Sequence, residues 1–350
     1  MNRSTIILRR PFACFHRVRM TMCAISALGF VLTACGGGDE TTLAPTLGAT
    51  VAAITTVAGT GRNCPKPAAI PACGDGLAAD VTQLTGPAGL AVDATGNVLI
   101  ADASNHRIRK VDVQTGLITT VAGNGVVCTV QPCGDDGQAD LAQLHSPLGI
   151  AVDAAGNVLI ADQNNHRVRR VDAQTGIITT VAGTGSAGFN GDNQPAIAAH
   201  LNFPTGVAAD VAGNLFIADQ SNHRVRRVDV QGNIMTIAGT GNAGFDGDNQ
   251  PAIAAQLNVP TGVAVDTTGN VFIADQFNQR VRVVNAQTGI ITTVAGNGTA
   301  CANPTATPAC GDGGVPTAAQ LNLPNGLALD GGGNLLIADF GNHRVRRVMP

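Results

Sequence analysis

From Pro87 onward the chain alternates short β-branched apolar runs with clusters of Gly, Asn and Asp. One stretch sets the pattern: Gly149-Ile150-Ala151-Val152-Asp153, a turn at Ala154-Ala155-Gly156-Asn157, then Val158-Leu159-Ile160-Ala161-Asp162. A corner at Gln163-Asn164-Asn165-His166 leads into Arg167-Val168-Arg169-Arg170-Val171, and a turn ending at Gly176 leads into Ile177-Ile178-Thr179-Thr180-Val181-Ala182-Gly183. Runs of this length separated by turn residues predict four antiparallel strands, a, b, c and d, in a meander. Strand b is apolar at consecutive positions, so both faces of its sheet need apolar cover.

That cover comes from repetition. The segment Pro87 to Asp93 returns at Pro147, Pro204, Pro260 and Pro324, with spacings of 60, 57, 56 and 64 residues. A four-stranded sheet buried on both faces and repeated in series is a propeller blade between two others. Nothing in the repeat has the length and 3.6 periodicity of a crossover helix, which removes an α/β barrel. The last copy stops after strand c, and Ile54-Thr55-Thr56-Val57-Ala58-Gly59 is a strand d with no a, b or c before it. The expected fold is therefore an all-β, five-bladed β-propeller of four-stranded antiparallel blades over residues 51–350, its N-terminal strand closing the last blade.

The repeated G-[LIV]-A-[VAL]-D, G-N-x-x-I-A-D and N-H-R-[IV]-R pattern resembles the NHL repeat. Asn165-His166-Arg167 carries the signature and recurs from Asn105, Asn222 and Asn342, whereas the fourth copy reads Asn278-Gln279-Arg280. The resemblance implies a propeller used mainly as a binding platform. The family includes RNA- and protein-binding modules, adhesion proteins, bacterial surface sensors and one amidating lyase. Many of its rings have six blades, so a count of five departs from the common case.

The first 34 residues read differently. Arg3, Arg9, Arg10, Arg17 and Arg19 precede an apolar stretch from about Met22 to Ala34, the layout of a secretory signal. Leu32-Thr33-Ala34-Cys35 resembles a bacterial lipobox, which implies lipidation of Cys35, and Gly36 after it resembles lipoproteins sent to the outer membrane. Residues 35–50 are small and turn-forming, a flexible tether. The expected location is the bacterial cell envelope, with the lipid as the only membrane contact. Without the leader the chain carries 16 basic against 24 acidic residues, a net of −8. That balance argues against nucleic acid as a partner. A composition of 44% apolar and 13% charged residues excludes a disordered chain.

In a meander blade the a–b and c–d turns lie on one face of the disc, and the b–c corners and blade-to-blade crossings on the other. The crossing face has the long loops and is the expected working surface. Its candidate binding residues are the corners Asn105 and His106, Asn165 and His166, Asn222 and His223, Asn278 and Gln279, and Asn342 and His343. Repetition at a corner also fits a fold-maintaining hydrogen bond. Gly-Asp at 74/75, 134/135, 191/192, 247/248 and 311/312 is followed ten residues after the Gly by Leu84, Leu144, Leu201, Leu257 and Leu321. Between them Asp192 is expected to cap a helical turn that buries the Leu. Cys64 and Cys73, Cys128 and Cys133, and Cys301 and Cys310 pair within single crossings and predict three local disulfides rather than zinc ligands. Strand c holds 14 basic residues, and every strand b ends in Asp, so intrablade ion pairs are expected over a basic ring.

No nucleophile with a neighbouring base and no phosphate loop stands out. The expectation is a monomeric, non-enzymatic propeller without metal or cofactor that binds a protein or peptide through its crossing face. The alternative is a metal-assisted lyase or hydrolase in the central channel, with the corner histidines as ligands.

Overall fold

The structure is a computed structural model that describes residues 54–64, 72–129, 132–303, 305 and 309–349. The leader, Cys35 and the tether lie outside the described residues. Strand a spans Pro87–Val92, Pro147–Val152, Pro204–Ala209, Pro260–Val265 and Pro324–Leu329. Strand b spans Val98–Asp102, Val158–Asp162, Leu215–Asp219, Val271–Asp275 and Leu335–Asp339. Strand c spans Arg107–Val111, Arg167–Val171, Arg224–Val228, Arg280–Val284 and Arg344–Val348. Strand d completes the first four blades at Ile118–Ala122, Ile177–Ala182, Asn233–Ala238 and Ile290–Ala295. Within each blade strands a to d pair antiparallel with their sequence neighbours, so this is the expected five-bladed all-β propeller. Two-residue strands at Gly137–Gln138, Gln194–Pro195 and Gln250–Pro251 add to the outer edges of blades two to four. They cover an edge that would otherwise offer unpaired backbone groups.

The core lies between blades. Leu99, Ala101, Ile108 and Ala122 of blade one pack with Ala139, Ala142 and Leu144 of the crossing and with Ile150, Val158, Ile160, Val171 and Ile178 of blade two. The next two junctions repeat this assembly. Of the five leucines that follow the Gly-Asp pairs, Leu144, Leu201, Leu257 and Leu321 are buried, whereas Leu84 of the first crossing is only partly so. Each crossing holds a short 3-10 turn ahead of its Leu, such as Ala196–Ala198, and the first and fifth hold a second one, but the capping expected of Asp192 is not observed. Pro195 occupies the cap position and Asp192 is engaged instead by Arg226 and Thr236.

Inner strands meet at closest backbone approach. A Cβ at Gly89, Gly149, Gly206 or Gly262 would overlap the carbonyl oxygen of Leu148, Thr205, Thr261 or Asn325 on the next blade. Gly326 is different, since a Cβ there would meet only Ala338 of its own blade. The expected closing strand also differs from the structure. Among the described residues strand c of blade five pairs only with strand b, in a three-stranded sheet. The Gly59 and Thr60 N–H groups donate to the Ala79 and Thr82 carbonyls, as Gly123 and Asn124 do to Ala139 and Ala142. The foot of the N-terminal segment is thus fixed on the first crossing, and Ile54 projects into solvent, fully exposed. The physical reason is that the backbone bonds of Gly59 and Thr60 hold the end of the segment on the first crossing, while among the described residues nothing pairs with the outer edge of strand c in blade five.

Candidate functional site on the crossing face

Every b–c corner is built alike. Strand b ends in Asp, three residues form a 3-10 turn, and the following His or Gln takes a left-handed conformation, with φ 54° at His106, 51° at His166, 52° at His223, 54° at Gln279 and 54° at His343. The corner Asp anchors the turn. Asp162 is fully buried and accepts from the His145 N–H at 2.7 Å and from Asn165 Nδ2 at 2.8 Å, with Arg169 Nη1 at 3.5 Å. The same three donors converge on Asp219 and Asp275. Asn105, Asn165, Asn222, Asn278 and Asn342 are therefore buried and committed to their aspartates, which leaves a partner little to read from them.

The buried arginine reaches further. Arg169 joins Asp162 to Asp135 of the crossing at 2.7 Å, and Thr180 Oγ1 donates to the same Asp135 at 2.7 Å. Arg109, Arg226 and Arg282 bridge Asp102 to Asp75, Asp219 to Asp192, and Asp275 to Asp248. Arg109, Arg169, Arg226 and Arg282 are completely buried. The expected intrablade pairing holds, and the repeated Gly-Asp of the crossing is its second carboxylate.

The corner histidines join blades. Nδ1 of His106, His166 and His223 accepts from the backbone N–H of Ser146, Phe203 and Val259 in the next blade, at 3.1, 3.2 and 3.1 Å. Gln279 Oε1 accepts from Leu323 N–H at 2.6 Å, so the one departure from the signature keeps the acceptor. Burial lowers the pKa of His106, His166 and His223, which favours the neutral ring that this bond needs. His343 is exposed and takes no such bond among the described residues. No group of three or more metal-ligating side chains occurs among the described residues. Because an acceptor is what the junction requires, His166→Gln is expected to keep stability, whereas His166→Ala should lose about 1 kcal/mol in denaturant unfolding. Equal losses in both would remove the joining role.

Burial pushes the Asp219 carboxyl up to about 6, against the opposing pull of Asn222, the Asn202 N–H and Arg226. Asp275 is likewise pushed up to about 6 by burial. A folded pKa above the unfolded value near 4 means that folding takes up protons between about pH 4 and 6. This contribution is full below pH 4 and lost as pH rises through 6. Relative to Asp219→Asn, the unaltered protein should therefore lose on the order of 2–3 kcal/mol between pH 4 and 7. Urea midpoints of the two proteins across that range provide the check, and a relative gain with rising pH would contradict the assignment.

The crossings are held down in two ways. Cys64–Cys73, Cys128–Cys133 and Cys301–Cys310 are bonded, as expected, with Cα separations of 5.7, 5.4 and 5.6 Å. The other two crossings carry aromatic rings instead. Phe189 lies 3.9 Å from the Arg224 guanidinium carbon, and Phe245 lies 3.8 Å from that of Arg280. Sequence reasoning missed these stacks, because each joins a crossing Phe to an Arg 35 residues downstream. Closing each disulfide loop is worth about 2–3 kcal/mol in the chain-entropy model. Reduction should expose crossings one, two and five to limited proteolysis before three and four, and uniform cutting would contradict that division.

All five exposed phenylalanines among the described residues, Phe189, Phe203, Phe245, Phe277 and Phe340, lie in corners or crossings. The opposite face carries Asx turns that satisfy themselves, as where Asp153 accepts from the Ala155 and Asn157 N–H groups.

The family model for the teneurin NHL domain matches residues 48–132 and 121–190, and that for the NHL repeat matches residues 201–228 and 321–348. Teneurin-4 of Homo sapiens is 32% identical over 251 residues, which is 65% of this chain and 9% of the relative. NHL repeat-containing protein 2 of Bos taurus is 28% identical over 308 residues, 78% of this chain and 40% of the relative. The chain thus spans less than half the length of these curated relatives. An auxiliary nutrient binding protein from Bacteroides ovatus shares the fold, with TM-score 0.53 and 17% identity over 78% of this chain and 63% of that one.

Proposed function

The chain belongs to the NHL-repeat family of β-propellers, and on that premise we propose that it is a non-enzymatic binding protein that takes a protein or peptide on its crossing face. The observation that carries this reading is the gathering of the exposed phenylalanines of the described residues on that face. Aromatic side chains give large contact area at low entropic cost and are enriched in interfaces. The corner residues serve as the frame beneath this surface, with the outer edges of the half-buried histidines as its polar points. The same proposal puts the propeller in the bacterial cell envelope, held by a lipid on Cys35 through the tether of residues 35–50.

The test compares envelope-extract pull-downs by the full chain and by Phe277→Asp and Phe340→Asp, both of which change exposed side chains. Loss of a bound partner with unchanged folding is expected. Equal capture by the unaltered protein and by both variants would sink the crossing-face reading. Labelling with radioactive palmitate, lost in Cys35→Ser, tests the anchor independently.

A further inference from the structure

The outer edge of strand c in the last blade is the one place where a slot filled four times over remains open among the described residues. In the first four blades strand d fills it with a single pattern, Ile-x-Thr-x-Ala-Gly, at Ile118 to Gly123, Ile178 to Gly183, Ile234 to Gly239 and Ile291 to Gly296. Each position has a task. Ile118, Ile178, Ile234 and Ile291 are completely buried, and Ala122, Ala182, Ala238 and Ala295 sit opposite strand c residues that are also completely buried. Thr120, Thr180, Thr236 and Thr293 donate their hydroxyls to the crossing aspartates Asp75, Asp135, Asp192 and Asp248.

Blade five has the receiving half of this arrangement. A cleft of about 220 Å³ runs along the edge, lined by Asp312, Leu321, Ile337, Val345, Arg346 and Val348. Val345 is 72% exposed, whereas Ile108, Val168, Val225 and Val281 at the same position are completely buried. Asp312, the fifth crossing aspartate, is half exposed and accepts from Arg344 and Arg346 but from no threonine among the described residues. The donating half stands elsewhere. Ile54-Thr55-Thr56-Val57-Ala58-Gly59 repeats the pattern letter for letter, and its first residue projects fully into solvent while Gly59 is held on the first crossing.

We propose that this edge is a strand-accepting site filled by the Ile54 to Gly59 segment of a second copy of the chain. The inserted strand runs antiparallel to Arg344–Val348 in the register of the complete blades. That register sets Ile54 opposite Val348, Thr55 opposite Arg347, Thr56 opposite Arg346 and Ala58 opposite Val345. It brings the Thr56 hydroxyl to Asp312 and covers Val345. The arm exchange adds no contact type absent from the complete blades, and exchange of an identical element is a low-cost route to a dimer. The site lies at the outer edge of blade five, where the fifth crossing supplies part of its lining, and it uses none of the exposed phenylalanines that carry the proposed function.

Two proteins with one free cysteine each test it, Thr55→Cys and Arg347→Cys, each in the full chain with Cys14, Cys23 and Cys35 changed to Ser and the three disulfides kept. Mixed under mild oxidation, they are expected to form a disulfide-linked heterodimer as the main product, at least tenfold above either protein alone. Adding Val345→Asp to the Arg347→Cys partner should abolish it. Crosslinking confined within one chain, in a Thr55→Cys/Arg347→Cys double variant that stays monomeric, would overturn the proposal in favour of self-closure. Absence of crosslinking in both the mixture and the double variant would overturn it as well.

Discussion

Arg169→Met is expected to lower the unfolding free energy by about 3–5 kcal/mol at neutral pH. Methionine matches much of the arginine's apolar volume, so the loss is chiefly electrostatic. Arg169 is completely buried and touches two carboxylates, Asp162 from strand b and Asp135 from the crossing. Removing the cation leaves two acidic groups facing each other with water largely excluded, and burial already raises the Asp162 pKa. Arg170, one residue along, points outward and is exposed, so Arg170→Met should stay within about 0.5 kcal/mol. Guanidinium titrations of the two variants give the comparison. A loss below about 1 kcal/mol in Arg169→Met would show that the bridge contributes little beyond filling space.

The second large effect is steric. Gly149→Ala would drive a methyl group into the Thr205 carbonyl oxygen, with Val207 N and Gly206 Cα close behind. All three obstacles are backbone, and backbone in a ladder cannot rotate aside as a side chain can. A cost of about 3 kcal/mol or more is expected, at the upper end of overpacking penalties. Gly326→Ala has no such neighbour and should be close to neutral. Hydrogen exchange sharpens the test, because the Gly149 lesion should deprotect strands flanking the junction between blades two and three first. Equal thermal shifts for the two variants would mean that close approach does not hold the blades together.

Much of this architecture was legible in the chain because its information is local and repeated. Alternation and turn residues set the strands, and consecutive apolar residues such as Val158-Leu159-Ile160 required a neighbour on each side. The Asp at the end of strand b and the arginines of strand c suggested their own pairing. What escaped the reading depended on distances across sequence. The second carboxylate on Arg169 comes from a loop 34 residues upstream, and the role of His166 depends on an N–H 37 residues downstream. Phe189 over Arg224 has no local signature. The closing strand is a related case: the match between residues 54–59 and strand d was visible, but which edge the segment fills depends on residues at opposite ends of the chain, and among the described residues the fifth sheet has three strands.

The Asp-Arg-Asp bridge also bears on how such chains change length. Arg226 meets its two counter-charges, Asp192 and Asp219, within the same repeat, and Arg282 meets Asp248 and Asp275 in the same way. Each repeat is thus an electrically self-contained cassette. A gene duplication or deletion in whole cassettes would strand no ion in a dry interior, so the number of wedges could drift through generations without an intermediate that fails to fold.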